Sequence, residues 1–210
     1  MAHNLRSLIY FKPQGPMEHP FQLLMATSIA YLLGSIMGAY WVCRYFQLPD
    51  PTEAGSGNPG ATNIYRLGGP IPATLTLFWD AAKGAAAVCI AAMLGLSPYE
   101  QGVTAVAAIV GHMLPAFHHF KGGKGVATVL GAGLALAWQT TLALTLVWTA
   151  VVYWKRISSL ASLTAAVMAP WVAWRLNPEH LALFLILSLF ILIRHRENII
   201  NLAKGKERSL

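Results

Sequence analysis

Long apolar runs, separated by short polar segments, make up most of the chain. A bilayer core about 30 Å thick needs roughly 20 apolar residues in a helix that crosses it, so the runs predict membrane-spanning helices. The first run exceeds the apolar region of a cleavable signal peptide, which has about 7–15 residues, so we expect an anchored helix there. The predicted spans are residues 21–46, 70–95, 99–117, 126–139, 141–155, 158–175 and 179–194, after an amino-terminal extension, residues 1–20.

The longest run, residues 126–154, decides the number of spans because it has no charge over 29 positions. One helix of this length would be about 43 Å long, which is too long for the bilayer. We therefore predict two short helices with a turn near residues 138–141. Seven spans with the amino terminus outside place twelve of the fifteen Lys and Arg residues on the cytoplasmic side. Six spans, the alternative, would put the last polar segment opposite the other two.

The composition agrees with an all-α integral membrane protein that forms a single polytopic domain. Apolar and aromatic residues make up 56% of the chain, and charged residues only 11%, against about 25% in soluble domains. This excludes disorder, secreted disulfide scaffolds and most soluble enzyme folds. The net charge of +7 is spread between the apolar runs and forms no basic domain, so no nucleic-acid partner is expected. Cys43 and Cys89 lie within apolar runs and are expected to pack there.

The first polar segment, residues 55–69, follows the first span. Its glycines allow backbone amides to turn toward a ligand, and its arginine has a planar fork suited to phosphate oxygens. A flexible connecting loop would have a similar composition, and this alternative stays open. The candidate binding residues are Ser56, Asn58, Thr62, Asn63 and Arg66.

The second polar segment, residues 111–128, contains Gly-Gly-Lys-Gly directly before an apolar helix. Free amides at a helix amino terminus, next to a lysine, predict an anion site. It is not a Walker loop, because Gly125 stands where Ser or Thr follows the lysine. Membrane anchoring by the lysines is the alternative. The candidate residues are His112, Lys121, Gly122, Gly123, Lys124, Gly125 and Thr128, and no metal site is expected because the histidines lack a nearby carboxylate or cysteine.

The third polar segment, residues 194–207, follows the last span. If its helix continues, His195 and Asn198 share a face at a spacing of three. A cationic amphipathic tail on anionic lipid is the alternative. Within the second span, Asp80 and Lys83 are expected to form a structural ion pair at the cytoplasmic rim, with direct substrate contact as the alternative.

Taken together, these segments resemble the bacterial acyl-phosphate:glycerol-3-phosphate acyltransferase family, the PlsY family, over nearly the whole chain. The resemblance rests on three motifs: Ser-Gly-Asn-Pro-Gly-Ala-Thr-Asn (56–63) with Arg66, Gly-His-x-x-Pro-x-Phe-x-x-Phe-Lys-Gly-Gly-Lys-Gly-Val-Ala-Thr (111–128), and His-x-x-Asn-Ile (195–199) followed by Gly-x-Glu (205–207).

The resemblance implies a seven-helix enzyme of the bacterial inner membrane with its active site facing the cytoplasm. Such an enzyme moves a fatty acyl group from acyl phosphate to the sn-1 hydroxyl of glycerol 3-phosphate. It needs no cofactor and no protein partner, and works among membrane lipids. By position, Ser56 and Arg66 belong to the essential first motif, residues 121–125 form the glycerol-phosphate cradle, His195 and Asn198 are an activity-linked pair, and Glu207 is structural.

The implied chemistry fits the residues, because both substrates carry phosphate and the chain has two cationic segments. Acyl phosphate is already activated, so positioning and charge neutralisation suffice without a covalent intermediate. Arg66 and Lys124 are expected to offset phosphate charge, and Ser56 to donate a hydrogen bond. Either His195, oriented by Asn198, or a substrate phosphate would accept the proton. An organic-phosphate transporter and a lipid-binding scaffold are the competing functions.

Overall fold

The structure, a computed structural model, describes residues 19–210, so nearly all of the predicted extension, residues 1–20, lies outside it. The described residues form helices and no strand, which confirms the predicted all-α class. The helices are α1 (Pro20–Ser35), α2 (Gly38–Tyr45), α3 (Ala61–Gly68), α4 (Pro70–Met93), α5 (Pro98–Met113), α6 (Val126–Leu136), α7 (Trp138–Lys155), α8 (Ser158–Leu176), α9 (Leu181–Arg194) and α10 (Arg196–Ala203), with 3-10 turns at Ala116–His118 and Pro178–His180.

The first apolar run forms two helices where the sequence predicts one. Helix α1 ends at Ser35 and α2 begins at Gly38, and the two residues between them are extended. The break exposes the carbonyl of Ile36, which accepts a hydrogen bond of 3.0 Å from Lys83 Nζ of α4. The sequence has no proline at this position that would predict a break. The break is stabilised instead by a side chain from another helix.

Two helical stretches among the described residues are long and apolar enough to cross a bilayer by length and composition. They are Pro20–Tyr45, taken across its break, and Pro70–Met93, while Val126–Leu136 is a shorter apolar helix. The number of spans and the orientation of the termini stay predictions. The uncharged run 126–154 is divided between α6 and α7, which meet at Ala137, one residue before the tract where the sequence places the turn.

Small residues let two pairs of helices approach each other closely. Helix α1 packs extensively on α5, and α4 on α6. A Cβ would collide with a backbone carbonyl of the facing helix at four glycines, namely Gly34, Gly84, Gly111 and Gly131. Close backbone contact through small residues is typical of helices packed in membranes.

Helices α7 and α9 both pack on α8, while the short helices α2 and α3 pack on α4. A buried apolar cluster joins α5, α8 and α9 through Ile109, Met113, Ala166, Leu187 and Ile191. The cluster brings the end of α5 close to the end of α9. The second and third polar segments begin at these two helix ends, so the core itself places them side by side.

Candidate active site

The second and third polar segments meet through hydrogen bonds. Arg194, the last residue of α9, donates from Nη2 to the carbonyl oxygens of Gly122 and Gly123 at 2.8 and 2.9 Å. Lys124 Nζ donates to Asn198 Oδ1 at 2.6 Å. The loop that contains the glycines is therefore tied to the segment after α9.

The first polar segment meets the same region through the end of the chain. The Arg66 guanidinium donates to the carbonyl oxygens of Arg208 and Ser209 at 3.1 to 3.3 Å. The hydroxyls of Thr62, on α3, and Ser158, at the start of α8, are 2.9 Å apart. All three polar segments thus lie together, although about 140 residues separate the first from the last.

Asn63 organises the loop of the first segment. It is 1% exposed, its Oδ1 accepts from the Ser56 amide at 2.8 Å, and its Nδ2 donates to the carbonyls of Pro51 and Ala54 at 3.0 Å. Its amide group is fully used within the protein. Asn63, expected to bind substrate, instead holds the loop that presents Ser56, which is exposed.

The glycine-rich loop lies directly on the end of α5. The Gly123 amide donates to the carbonyl of His112 at 3.1 Å. A Cβ at Gly123 would collide with the His112 ring, and one at Gly122 with the His112 carbonyl. Gly125, which has φ +84°, ends the loop at the start of α6. The fit of the loop to the end of α5 therefore requires these glycines.

His112 lies beneath this loop in a buried polar cluster. Lys83 Nζ is 2.8 Å from Asp80 Oδ1, and His112 Nδ1 is 3.5 Å from the same oxygen. Both contacts are close in distance but poorly aligned as hydrogen bonds. Asp80 and Lys83 are buried near the middle of α4, whereas the sequence predicted a pair near its end. The ion pair tolerates this burial because His112 and the Ile36 carbonyl are additional partners.

Lys124, Asn198 and Glu207 form a chain of hydrogen bonds. Asn198 accepts from Lys124 and donates from Nδ2 to Glu207 Oε1 at 2.7 Å, and Ser159 also donates to that oxygen at 2.6 Å. Burial lowers the pKa of Lys124, and the nearby Glu207 carboxylate acts in the opposite direction. Asn198 therefore orients Lys124, where the sequence predicts that it orients His195.

His195 interrupts the last helix, which ends at Arg194 and resumes at Arg196. Its side chain is 2% exposed, and its Nδ1 is 2.8 Å from the carbonyl oxygen of Ile191. Burial, together with the charge of Lys124, lowers the pKa of His195 to about 4, so the ring is neutral at neutral pH. With the proton assigned to Nδ1, which faces a carbonyl, Nε2 is a hydrogen-bond acceptor.

A polar cavity of about 390 Å³ opens between the first segment and the glycine-rich loop. It contains two cationic side chains, Lys121 and Arg194, which suit an anionic ligand. Its lining is Thr52, Glu53, Gly57, Pro59, Phe120, Lys121, Gly122 and Arg194. No cluster of three or more His, Cys, Asp or Glu residues suited to a metal ion occurs between residues 19 and 210.

The remaining candidates are less central to this cavity. Thr128 is fully buried on α6, and its hydroxyl has no hydrogen-bond partner in the part of the chain that the structure describes. Asn58 is half-buried beside Gly60. Arg194 and Arg208 were not expected from the sequence. Arg194 ends an apolar run, where an arginine is indistinguishable from a membrane anchor, and Arg208 lies outside the three motifs.

A second, mainly apolar cavity of about 350 Å³ lies on the other side of the 3-10 turn Ala116–His118. The rings of Tyr40 and His118 stack within it, with centroids 4.0 Å apart. Its lining is Ile36, Tyr40, Trp41, Arg44, Phe117 and His118. One turn of chain thus separates a polar cavity from an apolar one.

Comparison with known proteins gives consistent matches. A family model described as glycerol-3-phosphate acyltransferase matches residues 24–205. Proteins named glycerol-3-phosphate acyltransferase from Hahella chejuensis and Idiomarina loihiensis are 98% identical over 194 residues and 48% identical over 187 residues. These alignments cover 92% and 89% of this chain, and 100% and 95% of those proteins.

The fold matches crystal structures of PlsY, described as an integral membrane glycerol 3-phosphate acyltransferase. The glycerol 3-phosphate form has a TM-score of 0.84 and the lysophosphatidic acid form 0.80, each at 36% identity over 90% of this chain and 95% of that one. The similarity confirms the resemblance inferred from the three motifs and identifies an integral membrane protein. This chain belongs to the glycerol-3-phosphate acyltransferase family.

Proposed function

We propose that this chain transfers a fatty acyl group from acyl phosphate to the sn-1 hydroxyl of glycerol 3-phosphate. The products are 1-acyl-glycerol 3-phosphate and inorganic phosphate. One observation carries the proposal: three distant polar segments, each with a cationic side chain, meet beside a polar cavity. Two phosphate-bearing substrates require such a concentration of positive charge.

The cavity supplies the site for glycerol 3-phosphate. Lys121 and Arg194 provide positive charge in the cavity. The loop that supplies Lys121 and Gly122 leads into α6, whose first amides have no acceptor within the helix. Amides at a helix amino terminus favour phosphate because the helix dipole is positive at that end. We assign the phosphate of glycerol 3-phosphate to this region.

Arg66 and Lys124 are assigned to the phosphate of the acyl donor. Arg66 supplies a permanent positive charge and the free N–H donors of Nη1, and Asn198 orients Lys124. Charge develops on this phosphate as it leaves, and fixed cations stabilise that charge without reorganisation. Ser56 donates a hydrogen bond to phosphate; no hydrogen bond within residues 19–210 connects its hydroxyl to a base that would make it a nucleophile.

In the transfer step, the acceptor hydroxyl oxygen forms a bond to the acyl carbonyl carbon, and the bond from that carbon to the phosphate oxygen breaks. The hydroxyl proton goes to a substrate phosphate, whose second pKa is about 6. His195, with a pKa of about 4, is a weaker base, and we assign its neutral ring to hydrogen-bonding the substrate. No covalent enzyme intermediate and no cofactor take part.

The acyl chain is assigned to the apolar cavity beside the 3-10 turn. Tyr40, Trp41 and Phe117 provide apolar surface there, while the polar cavity lies across the turn. The arrangement would place the ester-forming carbon between a lipid-compatible cavity and an aqueous one. This fits an enzyme of the bacterial inner membrane whose site faces the cytoplasm, with seven spans and the amino terminus outside.

The test uses purified protein with radiolabelled glycerol 3-phosphate and one of three donors, acyl phosphate, acyl-coenzyme A or acyl-carrier protein. We expect 1-acyl-glycerol 3-phosphate and one equivalent of phosphate with acyl phosphate alone. Lys124→Ala is the matched inactive control. Absence of product with every donor, in several lipids, would contradict the proposed activity, and turnover with a thioester would contradict the choice of donor.

A further inference from the structure

The last residues of the chain cross the candidate site and contact its separate parts. Glu207 accepts from Ser159 and Asn198, while the Leu210 amide donates to the carbonyl of Arg156 at 2.7 Å. Between these two anchors, the Arg208 side chain donates to the carbonyl of Gly55. We call residues 207–210 the terminal strap. All four of its residues lie beyond the region that the family model matches, which ends at residue 205.

Arg66 is the functional side chain that the terminal strap contacts. Its Nε donates to the Ser209 carbonyl at 3.3 Å, and its Nη2 donates to the carbonyls of Arg208 and Ser209 at 3.2 and 3.1 Å. These are the hydrogen bonds of the Arg66 side chain within residues 19–210. Backbone carbonyls therefore fix one edge of the guanidinium.

The opposite edge of the guanidinium stays available to a ligand. Arginine has five N–H donors in a rigid fork, and the terminal strap uses the Nε side. No acceptor in the described part of the chain takes a hydrogen bond from Nη1. A phosphate oxygen can therefore bind Nη1 without displacing the strap.

We propose that the terminal strap is a positioning element that holds the Arg66 guanidinium toward a phosphate group of the ligand. This inference rests on the proposed function for its kinetic test. Ordering a long side chain before a ligand binds reduces the entropy lost on binding. The strap acts through Arg66 and does not itself contact the reacting atoms.

The main variant is a chain shortened by three residues, which lacks Arg208, Ser209 and Leu210 but retains Glu207 and its two hydrogen bonds. We expect the KM for the phosphate substrate that Arg66 binds to rise about tenfold, on the scale of hydrogen bonds to a charged group. We expect kcat to change less. Arg196→Ala is the matched control, because it removes an exposed arginine of the same region whose side chain makes no hydrogen bond within residues 19–210.

A double-mutant cycle separates positioning from other effects of the shortened chain. With Arg66→Ala in place, deletion of the three residues should have little further effect on KM. An equal effect in both backgrounds would mean that the strap acts through the charge of Arg208 or through folding, and would overturn the proposal. Faster turnover of the shortened chain would mean that the strap blocks the site, and would also overturn it.

Binding of inorganic phosphate gives a readout that does not need turnover. The dissociation constant, measured by calorimetry in detergent, should be weaker in the shortened chain and unchanged in Arg196→Ala. If the full chain binds phosphate but transfers no acyl group, the proposed function fails and the strap is still tested. Equal phosphate affinity of the full and shortened chains would contradict the positioning role of the strap, but not the proposed function.

Discussion

Lys124 Nζ and Asn198 Oδ1 are 2.6 Å apart, so a hydrogen bond connects the loop before α6 to the helix after α9. The Asn198 amide also donates from Nδ2 to Glu207. This second hydrogen bond fixes the orientation of the amide, so that Oδ1 points to the lysine. Lys124 therefore has its position set by the third polar segment.

Asn198→Ala should lower kcat/KM about 100-fold, because a misplaced Lys124 no longer stabilises the leaving phosphate. Steady-state kinetics on purified protein measure the effect. The matched control is Asn201→Ala, which removes an exposed amide from the same helix and should have little effect. Similar losses in the two variants would show that the Lys124 contact is not the cause.

Arg66→Ala and Lys124→Ala should each cost roughly 2–4 kcal/mol of transition-state stabilisation, on the scale of lost electrostatic contacts. The free energy comes from the ratio of kcat/KM values of the original and variant chains. Lys155→Ala, at an exposed lysine at the end of α7, is the control and should retain activity. Turnover near the original rate in either site variant would remove that residue from the mechanism.

Gly123→Ala should displace the glycine-rich loop, because the added methyl group collides with the His112 ring. Overpacking of this kind costs about 1–3 kcal/mol, and activity should fall more than tenfold since Lys124 is the next residue. Gly102→Ala is the control, as its methyl group would lie 3.6 Å from Leu183, an ordinary contact. Activity and thermal unfolding are compared in both variants, and equal behaviour would refute the role of the close fit.

Lys83→Met should destabilise the protein by about 3–5 kcal/mol, because it leaves the buried Asp80 carboxylate without its cationic partner. The double variant Asp80→Asn with Lys83→Met should regain part of the loss, since the unpaired charge is then gone. Thermal unfolding in detergent measures each effect. If the destabilisation of the double variant equals the sum of the destabilisations of the two single variants, the two residues do not act as a pair.

Acid should destabilise the protein through His195. The unfolded chain binds a proton at this residue near pH 6.5, whereas the folded chain binds it near pH 4. The free energy of unfolding should therefore fall as pH decreases from about 6.5 to 4, by up to about 3 kcal/mol. Unfolding at several pH values should show a smaller decrease for His195→Gln than for His119→Gln, a change at an exposed histidine. Equal decreases would contradict the assigned environment of His195.

Much of the architecture follows from the sequence, because apolar runs of bilayer length report helices directly. The location of Lys124 before α6 was also predictable, since a glycine-rich loop before an apolar helix has a local signature. The break at Ile36 was not, because the hydrogen bond that stabilises it comes from Lys83 on a distant helix. Local patterns do not report a partner 47 residues away.

The sequence predicted that the three polar segments lie together, but it did not predict the contacts within them. A spacing of three suggested that Asn198 orients His195, whereas the helix breaks at His195 and each side chain finds another partner. Asn63 was expected to bind substrate, yet the loop needs its whole amide. Such assignments depend on which backbone N–H and C=O groups lack a backbone partner in the folded chain. The sequence does not show which groups these are.

The three polar segments are proposed to form one site on the cytoplasmic side. Glu53, Lys121 and Lys206 are exposed and belong one to each segment or its flank. The measurement replaces each in turn by cysteine, in a chain whose Cys43 and Cys89 are serine, and applies a membrane-impermeant thiol reagent to intact cells and to inside-out vesicles. We predict that all three cysteines react only in inside-out vesicles. Reaction of any one of the cysteines from the outside of intact cells would contradict a single site on the cytoplasmic side.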